Sequence, residues 1–178
     1  MLTSDTLVPR VIRSGIATAE TIVGCSEEDV RLLEEQVGVS LPSAYKDYLR
    51  VAGKCSGVLG LDAESHFPEL LDLTRRSGEM VEQWEGRNLH LPARAFVVGS
   101  GCTEYFAFLI TDQGASDPPI FSYFEGDGEF RHVSDSFWKM LETELGDLEA
   151  ARIRTPDAPH WEVAMARARA RVEWLRGG

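Results

Sequence analysis

The histidines and cysteines are the residue types in this sequence that could bind a metal or attack a substrate, and their spacing favours neither chemistry. The histidines never stand four residues apart, the spacing that brings two imidazoles onto one face of a helix. No two cysteines show the short interval of a zinc knuckle. These residues are His66, His90, His132, His160, Cys25, Cys55 and Cys102. We predict no metal site and no cofactor.

Ser100 lies between Gly99 and Gly101 and therefore resembles, at first sight, the nucleophile elbow of a hydrolase. That motif needs one more residue between the serine and each glycine, so a turn between strands explains these glycines better. A cysteine nucleophile would need a histidine such as His66 or His132 within hydrogen-bonding distance. A cysteine or carboxylate hydrolase is the least favoured alternative, and we predict no enzyme activity and no catalytic residues.

Acidic residues outnumber basic ones by 29 to 18, which gives a formal net charge of -11. Residues 1–150 carry 26 acidic and 12 basic side chains, whereas residues 151–178 carry 3 acidic residues and 6 arginines. A body this acidic repels the phosphates of nucleic acids and attracts a basic protein, so we expect a protein partner and no nucleic acid. Acidity that serves only solubility is the alternative interpretation.

No segment of the sequence is apolar enough to act as a secretion signal or to cross a membrane. Residues 1–20 are interrupted by Pro9, Arg10, Arg13 and Gly15, and no run of about 18 apolar residues occurs anywhere. The cysteines are odd in number and far apart, which argues against a disulfide framework. We expect a soluble cytoplasmic protein that binds no membrane.

Helix signals dominate the first half of the chain. Ser26 caps a helix that ends near Val37, and Pro42 opens a second helix that ends at Gly53. A third helical stretch begins at Pro68.

Strand signals replace them from residue 95 onward. Short apolar runs occur at residues 96–98, 105–110, 120–124 and 130–133. Asp127-Gly128 is a strong signal for a two-residue hairpin turn. These runs predict an antiparallel meander.

The last part of the chain returns to helix signals. One helix begins at Ser134 or Ser136 and ends near Gly146, and an arginine-rich helix follows over residues 161–175. Helices, then strands, then helices is the order of an α+β fold. We predict an α+β domain over residues 1–150, its meander packed against helices, with residues 151–178 docked on it as a C-terminal helix.

The strands at residues 105–110 and 120–124 are apolar on both faces. Either helices cover both faces, or one face stays open as an aromatic contact platform with an acidic rim. On the second interpretation the predicted partner-binding residues are Trp84, Glu104, Tyr105, Asp112, Asp117, Tyr123, Glu125, Asp127 and Glu129.

One stretch follows a recognisable order: an acidic helix end at Glu34, then Gly38, Leu41-Pro42, an aromatic residue three positions on, and a glycine-rich close. The later strands and the Ser-Phe start of the next helix form a second pattern. In both, the chain resembles the SUKH superfamily of Smi/Knr-like domains over about residues 26–145. The residues that carry the structural motif are Leu41, Pro42, Tyr45, Leu49, Gly53 and Phe137.

The resemblance implies an α+β fold with a partly exposed sheet, no catalysis, and binding of a toxin through a variable surface, because many bacterial members are immunity proteins encoded beside polymorphic toxins. It names no particular toxin. A nuclease is favoured, since such a toxin must present positive charge to phosphates. The alternative within the same fold is a non-catalytic regulatory or adaptor protein.

Overall fold

A four-stranded antiparallel sheet organises the fold. The computed structural model describes residues 2–60, 64–86, 88–101, 105–111 and 114–177. The strands of this sheet pair in chain order, so the predicted meander is confirmed. They are β3 (Ala95–Gly101), β4 (Tyr105–Ile110), β5 (Ile120–Phe124) and β6 (Arg131–Ser134).

Helices precede and follow this sheet, which confirms the predicted α+β class. They are α1 (Ser4–Arg13), α2 (Glu27–Val37), α3 (Ser43–Ala52), α4 (Leu70–Glu85), α5 (Phe137–Arg154) and α6 (Pro159–Gly177). A small sheet also pairs β1 (Ile22–Val23) with β2 (Cys55–Ser56). Within the described part of the chain, no helix has both the length and the apolar character that crossing a bilayer requires.

Strand β4 is covered on both faces. It lies between β3 and β5, and the side chains of Phe106, Phe108 and Leu109 expose at most 1 % of their surface. On the face that we call the α4 face, Phe106 packs on Tyr123, which stacks on Trp84 of α4 at a centroid distance of 6.0 Å. The structure therefore shows the two-sided core for β4, and not an open aromatic platform.

The opposite face, which we call the α5 face, is covered by α3 and α5. The ring of Tyr45 lies 5.2 Å from that of Phe96 in β3 and 5.0 Å from that of Phe137 in α5. Leu41 and Leu49 are also buried. These motif residues stabilise the fold by removing apolar surface from water, because each fills the layer between the helices and the sheet.

Capping side chains set where the helices around the sheet begin. Ser26 and Asp29 form a capping box at the start of α2, as the sequence predicts. The hydroxyl of Ser136 accepts a 3.1 Å hydrogen bond from the backbone N–H of Lys139 and caps α5. Pro42 occupies the N-cap position of α3, and the N–H of Gly53 bonds to a carbonyl in its last turn.

Three local predictions are wrong. Helix α5 continues through Gly146 to Arg154, because burial of Leu145 outweighs the roughly 1 kcal/mol that a helical glycine costs. The glycines beside Ser100 lie in β3 and not in a turn. The connection between β5 and β6 spans residues 125–130 and not two residues.

The predicted SUKH-like region does not include the two terminal helices. Helix α1 packs through Leu7 and Val11, and Arg10 forms two hydrogen bonds, of 3.0 and 2.7 Å, with the carboxylate of Glu149 in α5. A helix with a basic last turn is thereby joined to the main body by an ion pair.

Helix α6 contacts the body beside the small sheet. Ala168 and Val172 are buried in one cluster with Cys55. The guanidinium of Arg171 donates to the backbone oxygens of Lys54 and Phe67, and it also forms an ion pair with Glu69. Two carbonyls and a carboxylate thus satisfy a side chain that is mostly buried.

Candidate functional site

A cleft of about 580 Å³ opens on the α5 face of the sheet, between β3, β4 and α5. The strands contribute Gly99, Gly101 and Ala107, none of which carries a side chain larger than a methyl group. The aromatic side chains of Tyr48 and Tyr105 also line the space. We call it the α5 cleft; its volume is in the range of small-molecule and side-chain binding pockets.

Glu144 of α5 brings a carboxyl group into this cleft. Burial raises the pKa of this carboxyl above its ordinary value of 4.5, and a hydrogen bond from the backbone of Gly60 opposes the shift only in part. Burial also raises the pKa of Tyr105, and the charge of Glu144 adds to that effect. The carboxyl of Glu144 is thus held close to two phenol rings, in surroundings that disfavour its ionised form.

The mouth of the cleft carries charges of both signs. Lys139 forms an ion pair with Asp135, and Nε2 of His132 lies 3.7 Å from the same carboxylate. Asp147 adds a further carboxylate to the lining. Lys139 is thus paired with Asp135 and not with Glu144. Among the residues that the structure describes, no basic side chain forms an ion pair with Glu144.

A second surface lies at the end of the sheet where β5 runs into the 125–130 connection. Glu125 and Glu129 are exposed there, and Asp127 is paired with Arg131 at 2.8 Å. The hydroxyl of Tyr123 donates a 2.7 Å hydrogen bond to Glu85 at the end of α4. The surface that we call the acidic end consists of Glu85, Glu125, Asp127 and Glu129.

The comparison with protein families identifies this architecture. Residues 24–143 match the family model described as the SMI1 / KNR4 family (SUKH-1). The chain belongs to the SMI1/KNR4 family. The match contains the whole meander and its packing helices α2, α3 and α4, whereas α1, α6 and the end of α5 with Glu144 lie outside it. No curated protein matches the chain.

Within this SMI1/KNR4 domain, the structure separates the predicted partner-binding residues. Trp84 and Tyr123 lie on the α4 face, whereas Tyr105 lines the α5 cleft on the other face. Tyr123 is fully buried and its hydroxyl is occupied by Glu85, so it offers a partner no accessible surface. Trp84 is only partly buried and retains accessible surface.

The structure places the predicted acidic residues in different parts of the molecule. Glu125, Asp127 and Glu129 share the acidic end. Asp117 instead accepts a 2.7 Å hydrogen bond from the backbone N–H of Phe137 and helps to cap α5, a structural role. Glu104 and Asp112 lie outside the described residues.

Sequence reasoning missed Glu144 and Glu85. A signal for Glu144 was available: it follows Phe137 and Leu141 at helical spacing and so lies within the apolar stripe of α5. A charged residue in such a stripe is expensive to bury and marks a site. No comparable signal existed for Glu85, because its contact with Tyr123 joins positions 38 residues apart.

The described cysteines are poor nucleophiles. Burial raises the pKa of Cys25 to about 12 and also raises the pKa of Cys55. His66 is buried and its ring nitrogen lies 2.9 Å from the hydroxyl of Ser56; burial lowers its pKa to about 4. Among the described residues, no three His, Cys, Asp or Glu side chains converge in a way that would hold a metal ion.

Proposed function

We propose that this SMI1/KNR4 protein is an immunity protein, which binds a cognate bacterial toxin in the cytoplasm and blocks it without chemistry. Membership of the family supports a binding role, since its members are generally non-catalytic. The observation that carries the proposal is the acidic end. There Glu125 and Glu129 are exposed and form no ion pair within the described part of the chain.

The negative potential of the acidic end favours a basic partner. Complementary charge raises the rate of diffusional encounter, and buried apolar contacts then slow dissociation. Phe124 precedes the acidic end and is 49 % exposed, and Trp84 lies on α4 just before Glu85. A nuclease toxin fits this surface best, because a surface that binds phosphates is positively charged. An interface of typical size would bury about 1,600 Å² in total.

The direct test is co-expression of the chain with the product of the adjacent gene. We expect the two proteins to co-purify in a fixed ratio and the chain to restore growth of cells that express the neighbouring protein. The buried-core variant Leu41→Ala, which lowers stability, serves as the control for protection that depends on folded protein.

Capture of a cellular regulator, with neither protection nor complex formation with the neighbouring protein, would contradict the immunity function and favour an adaptor of the same fold. Turnover of a substrate by the purified chain, abolished by one point change, would contradict a purely binding role.

A further inference from the structure

The α5 cleft contains an ionisable group, Glu144, that packing of the fold does not explain. Glu144 occupies a position where Phe137 and Leu141 on the same stripe are buried apolar residues. A leucine or methionine there would fill the cleft, whereas a carboxylate must be partly desolvated. Of the carboxyl groups that line the cleft, that of Glu144 is partly buried, whereas those of Asp135 and Asp147 are exposed.

The walls of the cleft suit a flat cation. Tyr48, which is almost fully buried, and Tyr105, which is partly exposed, contribute aromatic rings to the wall. A guanidinium group stacks on aromatic faces, is more weakly hydrated than an ammonium group, and donates two parallel hydrogen bonds to a carboxylate. Aromatic rings beside a partly buried carboxylate are therefore suited to bind an arginine side chain.

We propose that the α5 cleft receives an arginine side chain of the bound partner, with the guanidinium on the carboxylate of Glu144. That the arginine belongs to a protein partner rests on the proposed function. The cleft is the second contact region, on the opposite face of the sheet from Trp84 and next to the acidic end, because Tyr105 pairs in register with Phe124.

The charges that face the cleft agree with this occupant. Glu144, Asp135 and Asp147 contribute carboxyl groups, against one ammonium group on Lys139 and the imidazole of His132. Lys139 is already paired with Asp135, and within the described ranges of the chain no basic side chain forms an ion pair with Glu144. Burial raises the pKa of Glu144, and a guanidinium beside the carboxylate would lower that pKa again.

The test uses the full-length chain and a small probe, so it needs no toxin. N-acetyl-arginine amide is titrated into the isotope-labelled protein and chemical shifts are followed by NMR. We expect saturable shifts confined to Tyr105 and Glu144, to Met140, which also lines the cleft, and to their neighbours. N-acetyl-citrulline amide has nearly the same shape without the charge, and we expect it to bind about tenfold more weakly or not at all, since charge-assisted hydrogen bonds are the stronger class.

Two variants assign the effect to Glu144. Glu144→Gln keeps the shape and the bond to Gly60 and should abolish the response to arginine amide. Glu173→Gln removes the same charge at an exposed position of α6, outside both proposed contact regions, and should leave the response unchanged. Three results would each overturn the proposal: equal binding of the citrulline probe, shifts that survive in Glu144→Gln, or no saturable shift. If Glu144→Gln folds poorly, the comparison of the two probes on the wild-type protein still tests the proposal.

The experiments distinguish failure of the cleft proposal from failure of the proposed immunity function. If the arginine probe binds and the neighbouring toxin does not, the cleft assignment stands and the immunity function is wrong. If the toxin binds wild type and Glu144→Gln equally well, the function stands and the cleft does not hold an arginine of the toxin. If both hold, Glu144→Gln should accelerate dissociation of the toxin by at least about tenfold.

Discussion

The hydroxyl of Tyr123 donates a 2.7 Å hydrogen bond to Oε1 of Glu85, and this bond joins β5 to the last turn of α4. Burial of the ring, with this bond and the charge of Glu85, raises the pKa of Tyr123 to about 12. The bond brings Glu85 to the same end of the sheet as Glu125. Carboxylates gathered at one end of the sheet add to the negative potential there.

Removal of the hydroxyl group should affect stability differently at Tyr123, whose hydroxyl has a hydrogen-bond partner, and at Tyr45, whose hydroxyl has none among the described residues. Tyr123→Phe should lower the free energy of unfolding by about 1.5 kcal/mol, because Glu85 loses a charge-assisted hydrogen bond. Tyr45→Phe should leave stability unchanged or raise it by up to ~1 kcal/mol, since the buried hydroxyl of Tyr45 has no hydrogen-bond partner among the described residues. Urea unfolding of both variants measures the difference; equal losses would contradict the assignment of these partners.

Truncation of Tyr45 tests its place in the core. Tyr45→Ala should lower the free energy of unfolding by about 3–5 kcal/mol, because the ring contacts Phe96 and Phe137 and a cavity would replace it. The phenylalanine variant at the same position is the matched control.

Charge reversal at the acidic end tests its part in encounter. With Glu125, Asp127 and Glu129 changed to Lys, association with the basic partner should slow by on the order of tenfold at low salt, and the salt dependence should flatten. Stopped-flow or surface-based kinetics with the co-purifying protein measures both.

Exposed acidic residues elsewhere provide the control for net charge. Glu20, Glu162 and Glu173, which are exposed and lie outside the meander, alter the total charge equally when they are changed to Lys. Equal slowing by the two triple variants would mean that net charge, and not this surface, steers the partner.

The raised pKa of Glu144 predicts the direction in which the free energy of unfolding changes with pH. The folded chain keeps a proton on Glu144 at pH values where the unfolded chain, with a pKa near the ordinary 4.5, has lost it. The free energy of unfolding therefore falls as pH rises from about that value through the raised pKa of the folded state. Glu144→Gln removes this loss, so it should melt at a higher temperature than wild type near neutral pH and at nearly the same temperature in acid.

Calorimetric melting at several pH values checks that sign. Glu129→Gln, at an exposed position, should follow the wild-type profile. A Glu144→Gln variant that melts below wild type at neutral pH would mean that the carboxylate stabilises the fold and that its charge is compensated within it.

The contacts of Arg171 predict how α6 is held. Arg171→Lys keeps the charge but loses the planar set of donors that reaches Lys54, Phe67 and Glu69. Amide hydrogen exchange in α6 should then quicken by about tenfold, the equivalent of one charge-assisted hydrogen bond. Arg169→Lys, at an exposed position of the same helix, should leave exchange unchanged; equal protection in both variants would contradict the role given to Arg171.

The sequence alone determined the local elements wherever their signals were local. The strands at 105–110 and 120–124 and the helices α2 and α3 agree with prediction, because capping residues, glycine stops and apolar periodicity act within a few positions of each other. Family membership was also predictable, since its motif residues, from Leu41 to Phe137, are the ones that pack between helices and sheet. Where burial of Leu145 outweighed a local helix breaker, the predicted end at Gly146 failed.

Only the tertiary structure decided which of the predicted surface residues are accessible and which groups meet. The pattern of β4 and β5 allowed either an open or a covered sheet, and packing of α4 and α5 on its two faces buried Tyr123 and separated it from Tyr105. Glu144 lines a cleft together with residues of β3 and β4 only because the fold packs α5 beside these strands. Such contacts join residues distant in the chain, and their free energies depend on desolvation and on the partner groups present, which no local pattern of residues encodes.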